Sequence, residues 1–330
     1  MRQLIKTAGL MALFLVVMVF WGSTAGQAAE RRPSAGTLAG SAELQGTIRV
    51  SGAWALYPMM VKWAEEFKKL HPKIRIDVSA GGAGKGAADA LAGMVDMGMV
   101  SREIRPEEIQ QGIFAVPVVK DAVLPTINGN NPVLASLLKK GIRRNVFVDL
   151  WVLGKPLTWG DISGTSSPGR VQVYTRSDSC GAAETWAKYL GKQQEDLKGV
   201  AVYGDPGVAE AVRRDPAGIG YNNLNYAYDM RSGKPVAGLQ IVPIDVNGNG
   251  RVDPDERLTT KRDAIKAVLS GRYPSPPARD LYLVAKGSFK GTAKSFVRWI
   301  LSDGQRYAEE VGYLKIAPAQ IKEALKRLGA

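Results

Sequence analysis

Residues 171–186, Val-Gln-Val-Tyr-Thr-Arg-Ser-Asp-Ser-Cys-Gly-Ala-Ala-Glu-Thr-Trp, hold the densest group of side chains able to do chemistry. An alternating run of apolar and polar residues leads into Arg176, Asp178 and Cys180, and an amphipathic helix begins near Gly181. A strand that stops in such residues and restarts as a helix aims unpaired backbone N–H groups, those of Gly181 and Ala182 first, and one guanidinium at a single point. That geometry suits an anion. The same pattern also serves as an ordinary strand-to-helix connection in an α/β protein.

Two further stretches offer donors of the same kind. Residues 81–86, Gly-Gly-Ala-Gly-Lys-Gly, lie between a strand-like run at 74–79 and a helical pattern that reaches Leu91. Glycine there lets the backbone amides of Gly84 and Lys85 approach a ligand closely. The loop is not a P-loop, because Ser79 stands where the first glycine is required and no Ser or Thr follows Lys85. The argument for a nucleotide-hydrolysing enzyme falls with it. Residues 95–102 read as a strand ending in Ser101 and Arg102. Arginine only donates, so Arg102 and Arg176 together favour a fully ionised oxyanion or one held by bidentate guanidinium contacts.

A separate motif occupies residues 245–256. Asp245, Asn247 and Asn249 stand at positions 1, 3 and 5 of a twelve-residue calcium loop, Gly250 at the sharp turn, Arg251 at the carbonyl position, Asp253 at position 9 and Glu256 at position 12. A polar turn rich in Asn, Gly and Asp is the plainer account of this composition. The register of five oxygen-bearing side chains around a central glycine leads us to expect a bound Ca2+ acting as a structural staple. Outside the cytoplasm, millimolar calcium would fill even a site of roughly 10⁻⁴–10⁻³ M.

Nucleophilic chemistry has little to stand on. The chain has one histidine, His71, at the end of a helical pattern, where a structural role is expected. Its one cysteine, Cys180, sits where a helix N-terminus would favour a thiolate, but no histidine lies near it in sequence. We therefore expect a binding protein and no enzyme.

The elements that must position these groups follow from the rest of the chain. Arg2 and Lys6 precede an apolar run from Leu10 to Trp21 and small residues up to Ala28 and Ala29, the pattern of a secretory signal peptide over residues 1–29. That run is shorter than the roughly 20 apolar residues a membrane span needs. No cysteine marks the cleavage point for lipid attachment, so a free periplasmic protein, not embedded in the membrane, is expected. Residues 30–45 read as a flexible tether. The net charge of +13 falls to +11 with Arg2 and Lys6 gone, and its basic residues are scattered among acids without an aromatic-interleaved stretch, which argues against nucleic acid.

Beyond the tether, strand-like runs at 47–51, 74–79, 95–102, 113–119 and 122–126 alternate with helical patterns, the first beginning near Pro58 with Met60, Trp63, Ala64 and Phe67 on one face. A turn cluster at 128–132 marks the first crossing between two lobes, and residues 275–284 a proline-fixed return.

In Arg176, Asp178 and Gly181 the chain resembles the anion-binding turn of the phosphate-binding proteins of ABC transporters. Similar pieces follow in the family's order: the turn 52–57, the loop 81–86, residues 95–102, Trp159-Gly-Asp-Ile162, residues 216–221, and the terminal helices around 304–307 and 311–314. The resemblance implies an α/β, two-lobed periplasmic-binding-protein-like fold of type II, each lobe a mostly parallel sheet flanked by helices, joined by two crossover segments. Residues 46–124 and 279–330 would form lobe 1 and residues 125–278 lobe 2, which carries the calcium-like loop.

It further implies an exported, monomeric binder of an inorganic oxyanion, most of all phosphate, that serves an ABC transporter permease. Its ligand donors would be Trp54, Ala55, Leu56, Gly84, Lys85, Ser101, Arg102, Arg176, Cys180, Gly181 and Ala182. Where the family offers hydroxyls, this chain has Trp54, Ala83, Cys180 and Ala182, and each missing bond to a charged ligand costs on the order of 1.5–3 kcal/mol. A different anion, or a sensing or scaffolding module of the same fold, stays open as an alternative.

Overall fold

The computed structural model describes residues 44–329, so the expected signal segment 1–29 and most of the expected tether lie outside the described residues. Nine strands occur among them: β1 Gly46–Gly52, β2 Ile74–Ala80, β3 Met97–Val100, β4 Ile113–Asn128, β5 Gln172–Arg176, β6 Val200–Val202, β7 Gly218–Asn223, β8 Leu239–Ile241 and β9 Ala278–Lys286. Their lateral order is β2-β1-β3-β9-β4-β7-β5-β6, with β8 beside β4.

The apolar runs at 113–119 and 122–126 are one sixteen-residue strand. Lys120 and Asp121 break the apolar pattern but not the strand: Lys120 exchanges backbone hydrogen bonds with Leu314, and Asp121 is wholly buried. The two hydrophobic cores divide inside β4, between Val119 and Ala122, ahead of the turn at 128–132 and close to the expected lobe boundary at 124/125. The return strand is β9, antiparallel to β4 from Ile113 to Ala122.

This pair also adds antiparallel strands at the junction to the expected mostly parallel sheet of each lobe. Outer strands are parallel, β1 with β2 and β3, and β5 with β6 and β7. The centre is antiparallel, β9 with β3 and β4, and β4 with β7 and β8. A chain that leaves one lobe and comes back must run through the junction in both directions.

The core changes hands at that junction. One hydrophobic cluster draws on Ile48 to Val119 and Leu281 to Leu328, and the other on Ala122 to Ala278 with Leu314. In the first, the helix Tyr57–Leu70 buries Met60, Trp63, Ala64 and Phe67, as its spacing requires, and Trp63 Nε1 donates to the Gly304 carbonyl at 2.8 Å. His71 caps the end of this helix with its ring 4.5 Å from that of Phe67. In the second, the helix Gly181–Leu190 places Trp186 among Phe147, Trp151 and Tyr221 at 5.2, 5.5 and 5.7 Å. Such a buried indole is worth about 3–5 kcal/mol, measured by truncation.

Tyr221 carries this order to the polar seam. Its hydroxyl lies 2.8 Å from Thr175 Oγ1 and accepts the Arg176 backbone N–H at 3.3 Å, which fixes the last turn of β5.

Candidate functional site

Where the lobes meet, backbone touches backbone. Gly82, at φ 94°, caps the helix Ala83–Leu91, and the Gly84 N–H donates to the Ser179 carbonyl at 3.2 Å. A Cβ at Gly82 would lie 2.6 Å from the Ser179 oxygen, and one at Gly84 2.6 Å from Ser179 Oγ. A Cβ at Gly181 would collide with the carbonyl of Ser101. The glycines of this seam thus admit the opposite lobe, and the N-termini of the helices Ala83–Leu91 and Gly181–Leu190 converge on the turn 176–181.

Arg176 lies at this meeting point with no side-chain exposure. Its Nε and Nη2 donate to the two oxygens of Asp178 at 2.8 and 2.6 Å, and Nη1 donates to Asp205 Oδ2 at 2.6 Å. Burial works against the guanidinium charge, but the carboxylates of Asp205 and Asp178 more than offset it and hold the group protonated. Asp178 is fixed in turn by the Gly204 N–H at 3.1 Å, the first residue of the helix Gly204–Arg214. Three helix starts and one buried guanidinium therefore meet at this turn.

The other residues singled out in the sequence fall around this point, with different engagements. Ser101 is buried, and its carbonyl accepts Arg279 Nε at 2.9 Å. Arg102 is buried too, but its guanidinium turns to Glu108, at 2.9 and 2.6 Å, and to Glu184 at 3.1 Å. Lys85 pairs with Asp89 one helical turn on, which also accepts the Ser51 hydroxyl at 2.6 Å. Its ammonium is directed along its own helix.

Trp54, Ala55 and Leu56 form the turn between β1 and the helix Tyr57–Leu70. The Trp54 indole sets its edge on Tyr203 at 6.0 Å, its carbonyl accepts the Tyr226 hydroxyl at 3.2 Å, and its buried Nε1 has no partner. Cys180 caps the helix it precedes, its sulfur accepting the Ala183 N–H at 3.4 Å. Burial pushes its thiol up to about 12, which outweighs the acidifying pull of Arg176. The expected activation of this thiol by the helix N-terminus is overridden. Gly181 and Ala182 are buried in the first turn of that helix.

Sequence reasoning missed four residues of the seam. Asp205 lies in the first turn of the helix Gly204–Arg214, Asp121 in β4, Asn223 at the end of β7 and Arg279 near the start of β9. Arg279 donates to Asn223 Oδ1 and sits 3.6 Å from Asp121 Oδ2. Burial lifts the Asp121 carboxyl to about 6. Only Asp205 left a trace in the sequence, as an acid beside a proline at a helix start; the others sit in strand patterns where a buried polar group has no signature.

The loop 245–256 is built around its first residue. Asp245 Oδ1 accepts the N–H groups of Gly248 and Asn249 at 2.7 and 3.1 Å, and Oδ2 that of Gly250 at 2.9 Å. Gly250 has φ 76°. Glu256 takes the N–H groups of Val246 and Asp253, at 2.8 and 3.0 Å, and Asp253 Oδ2 takes the amide groups of Asn247 and Asn249. Arg251 Nε lies 3.2 Å from Asp253 Oδ1. No cluster of three or more His, Cys, Asp or Glu side chains is gathered for a metal among the described residues.

The model of the PBP superfamily domain matches residues 37–304. This chain belongs to the PBP superfamily. Among this superfamily member's relatives, the phosphate-binding protein PstS of Bacillus subtilis is 24% identical over 316 residues, 94% of each chain. That of Methanocaldococcus jannaschii is 27% identical over 257 residues, 67% of this chain and 63% of the relative. A Clostridium perfringens protein, assigned as a phosphate ABC transporter substrate-binding protein and solved with bound phosphate, matches at TM-score 0.67 and 22% identity. It covers 82% of this chain and 100% of its own. An ABC-type phosphate transport receptor of Vibrio cholerae matches at TM-score 0.58 and 16% identity, over 82% and 100%. These likenesses establish the fold: two α/β lobes of the type II arrangement. No helix of the described residues is long and apolar enough to cross a membrane.

Proposed function

We propose that the protein is an exported solute-binding protein that captures a small inorganic oxyanion, phosphate first, between its lobes and delivers it to the permease of an ABC transporter. The observation that carries the reading is Arg176, buried where three helix N-termini converge between two lobes able to hinge about β4 and β9. Its full-length relatives bear the name of phosphate-binding proteins. A cleft of this kind replaces the hydration shell of an anion with fixed donors. The protein acts outside the cytoplasm as a monomer and performs no chemistry on its ligand; Cys180, buried with a raised thiol, offers no nucleophile.

Isothermal titration of residues 30–330 with phosphate, sulfate, arsenate and molybdate tests this. Saturable heat with phosphate is expected, and silence with all four anions would refute the transport reading. The engagement of Arg102 and Arg176 by the protein's own carboxylates favours, as a second reading, a sensing or scaffolding module. Unchanged anion uptake on deletion of the gene would select it.

We also propose Ca2+ in the loop 245–256, held by Asp245, Asn247, Asn249, the Arg251 carbonyl, Asp253 and Glu256. The support is the register of these residues and the turn at Gly250. The ion would staple the loop without touching the anion site.

A further inference from the structure

A buried guanidinium needs a counter-charge at all times, because stripping one partner from a buried ion pair leaves an uncompensated charge in a medium that solvates it poorly. In an anion-binding cleft this raises a question that the two carboxylates on Arg176 answer differently. Asp178 stands two residues along the same turn, gives both oxygens to Arg176, receives the Gly204 N–H and lies under Gly82. It is a fixed part of the site. Asp205 comes from another element and meets Arg176 through one oxygen only, at Nη1, the nitrogen not turned to Asp178. Its second oxygen accepts the Asn223 N–H at 3.1 Å, and its place in the first turn of the helix Gly204–Arg214 sets its charge against that helix N-terminus. The carboxylate of Asp205 thus occupies the guanidinium nitrogen and the helix start that an oxyanion would use.

We infer that Asp205 is a built-in competitor for the oxyanion: it neutralises Arg176 in the ligand-free protein and leaves Nη1 when the anion arrives. This rests on the proposed anion-binding function and adds to it the residue that sets affinity. The incoming ligand gains only the difference between its own bond to Nη1 and the bond it displaces. The surroundings reinforce the competition. The seam buries Arg176 and Arg279 against Asp121, Asp178 and Asp205, with the Lys261 ammonium acting on Asp121 and with Cys180 and Tyr226 close by, so both guanidinium groups already have counter-charges before any anion enters. A site of this composition weakens anion binding and lets the protein close without its ligand.

The test is titration of phosphate into wild type and Asp205→Asn, whose amide keeps the shape and carries no charge, and whose one oxygen can still accept from Arg176 while the Asn223 N–H loses its acceptor. Phosphate should bind the variant at least about tenfold more tightly. Weaker or unchanged binding would overturn the inference, since Asp205 would then be a group that positions Arg176. Asp205→Ser gives the same comparison if the Asn variant does not fold, judged by far-UV circular dichroism and the melting temperature. A structure of the wild type with phosphate bound needs no variant: Asp205 Oδ2 should have left Nη1, and phosphate seated with the pair intact would sink the proposal. Wild type that binds, with no gain in either variant, defeats this inference alone. Absence of binding in wild type and both variants defeats the proposed function as well.

Discussion

Gly181 separates closure of the lobes from stability of the fold. It opens the helix Gly181–Leu190 and faces Ser101 of the opposite lobe, where a Cβ would lie 2.5 Å from the Ser101 carbonyl carbon and closer still to its two oxygens. An ordinary carbon–carbon contact is near 3.5–4.0 Å, so Gly181→Ala must push the lobes apart locally by about 1 Å. Overpacking of this degree costs typically 1–3 kcal/mol, charged here only to the state in which the lobes touch. Alanine does not oppose the helix, so the unfolding midpoint should fall little. Affinity for phosphate, which needs the lobes together, should weaken about 5- to 150-fold. Isothermal titration gives the affinity, and small-angle X-ray scattering should show a larger radius of gyration for the ligand-free variant. An unchanged dissociation constant together with an unchanged radius would refute the view that this contact belongs to the binding state.

Other expectations follow from the buried groups. The Asp121 carboxyl, at about 6, holds its proton more tightly in the folded than in the unfolded chain, where an Asp titrates near 3.9; its contribution is complete below about pH 4 and is lost as pH rises through about 6. Asp121→Asn should therefore gain on the wild type by up to about 3 kcal/mol between pH 4 and 7 in urea titrations, and parallel stability curves would contradict this. With a calcium site of roughly 10⁻⁴ M, calcium at ~10 mM should add about 2.7 kcal/mol and raise the melting temperature by several degrees, an effect that Glu256→Gln removes. Equal melting in calcium and in chelator would dismiss the site. Cys180, its thiol near 12, should resist alkylation at neutral pH in the folded protein and react at once in urea; rapid labelling of the native state would argue against its burial.

The sequence went far on architecture because local patterns carry it. The 3.6-residue spacing of Met60, Trp63, Ala64 and Phe67 gave a real helix face, and the helix expected at Gly181 spans Gly181–Leu190. Polar residues inside strands defeated the same logic: Lys120 and Asp121 hid the continuity of β4 because their partners, Leu314 and the amide of Leu224, lie far away in sequence.

What the sequence by itself determined is the strongly periodic elements, among them the helices Tyr57–Leu70 and Gly181–Leu190, the glycines at the seam and the presence of a guanidinium at a helix start. Those follow from periodicity and backbone freedom, which are properties of neighbours along the chain. Only the tertiary structure decided what each charge faces: Arg102 goes to Glu108 and Glu184, Lys85 to Asp89, Arg176 to Asp178 and Asp205. The physical reason is that a charge taken out of water must find a partner nearby in space, and β4, β9 and the helix starts bring together residues that chain order keeps apart.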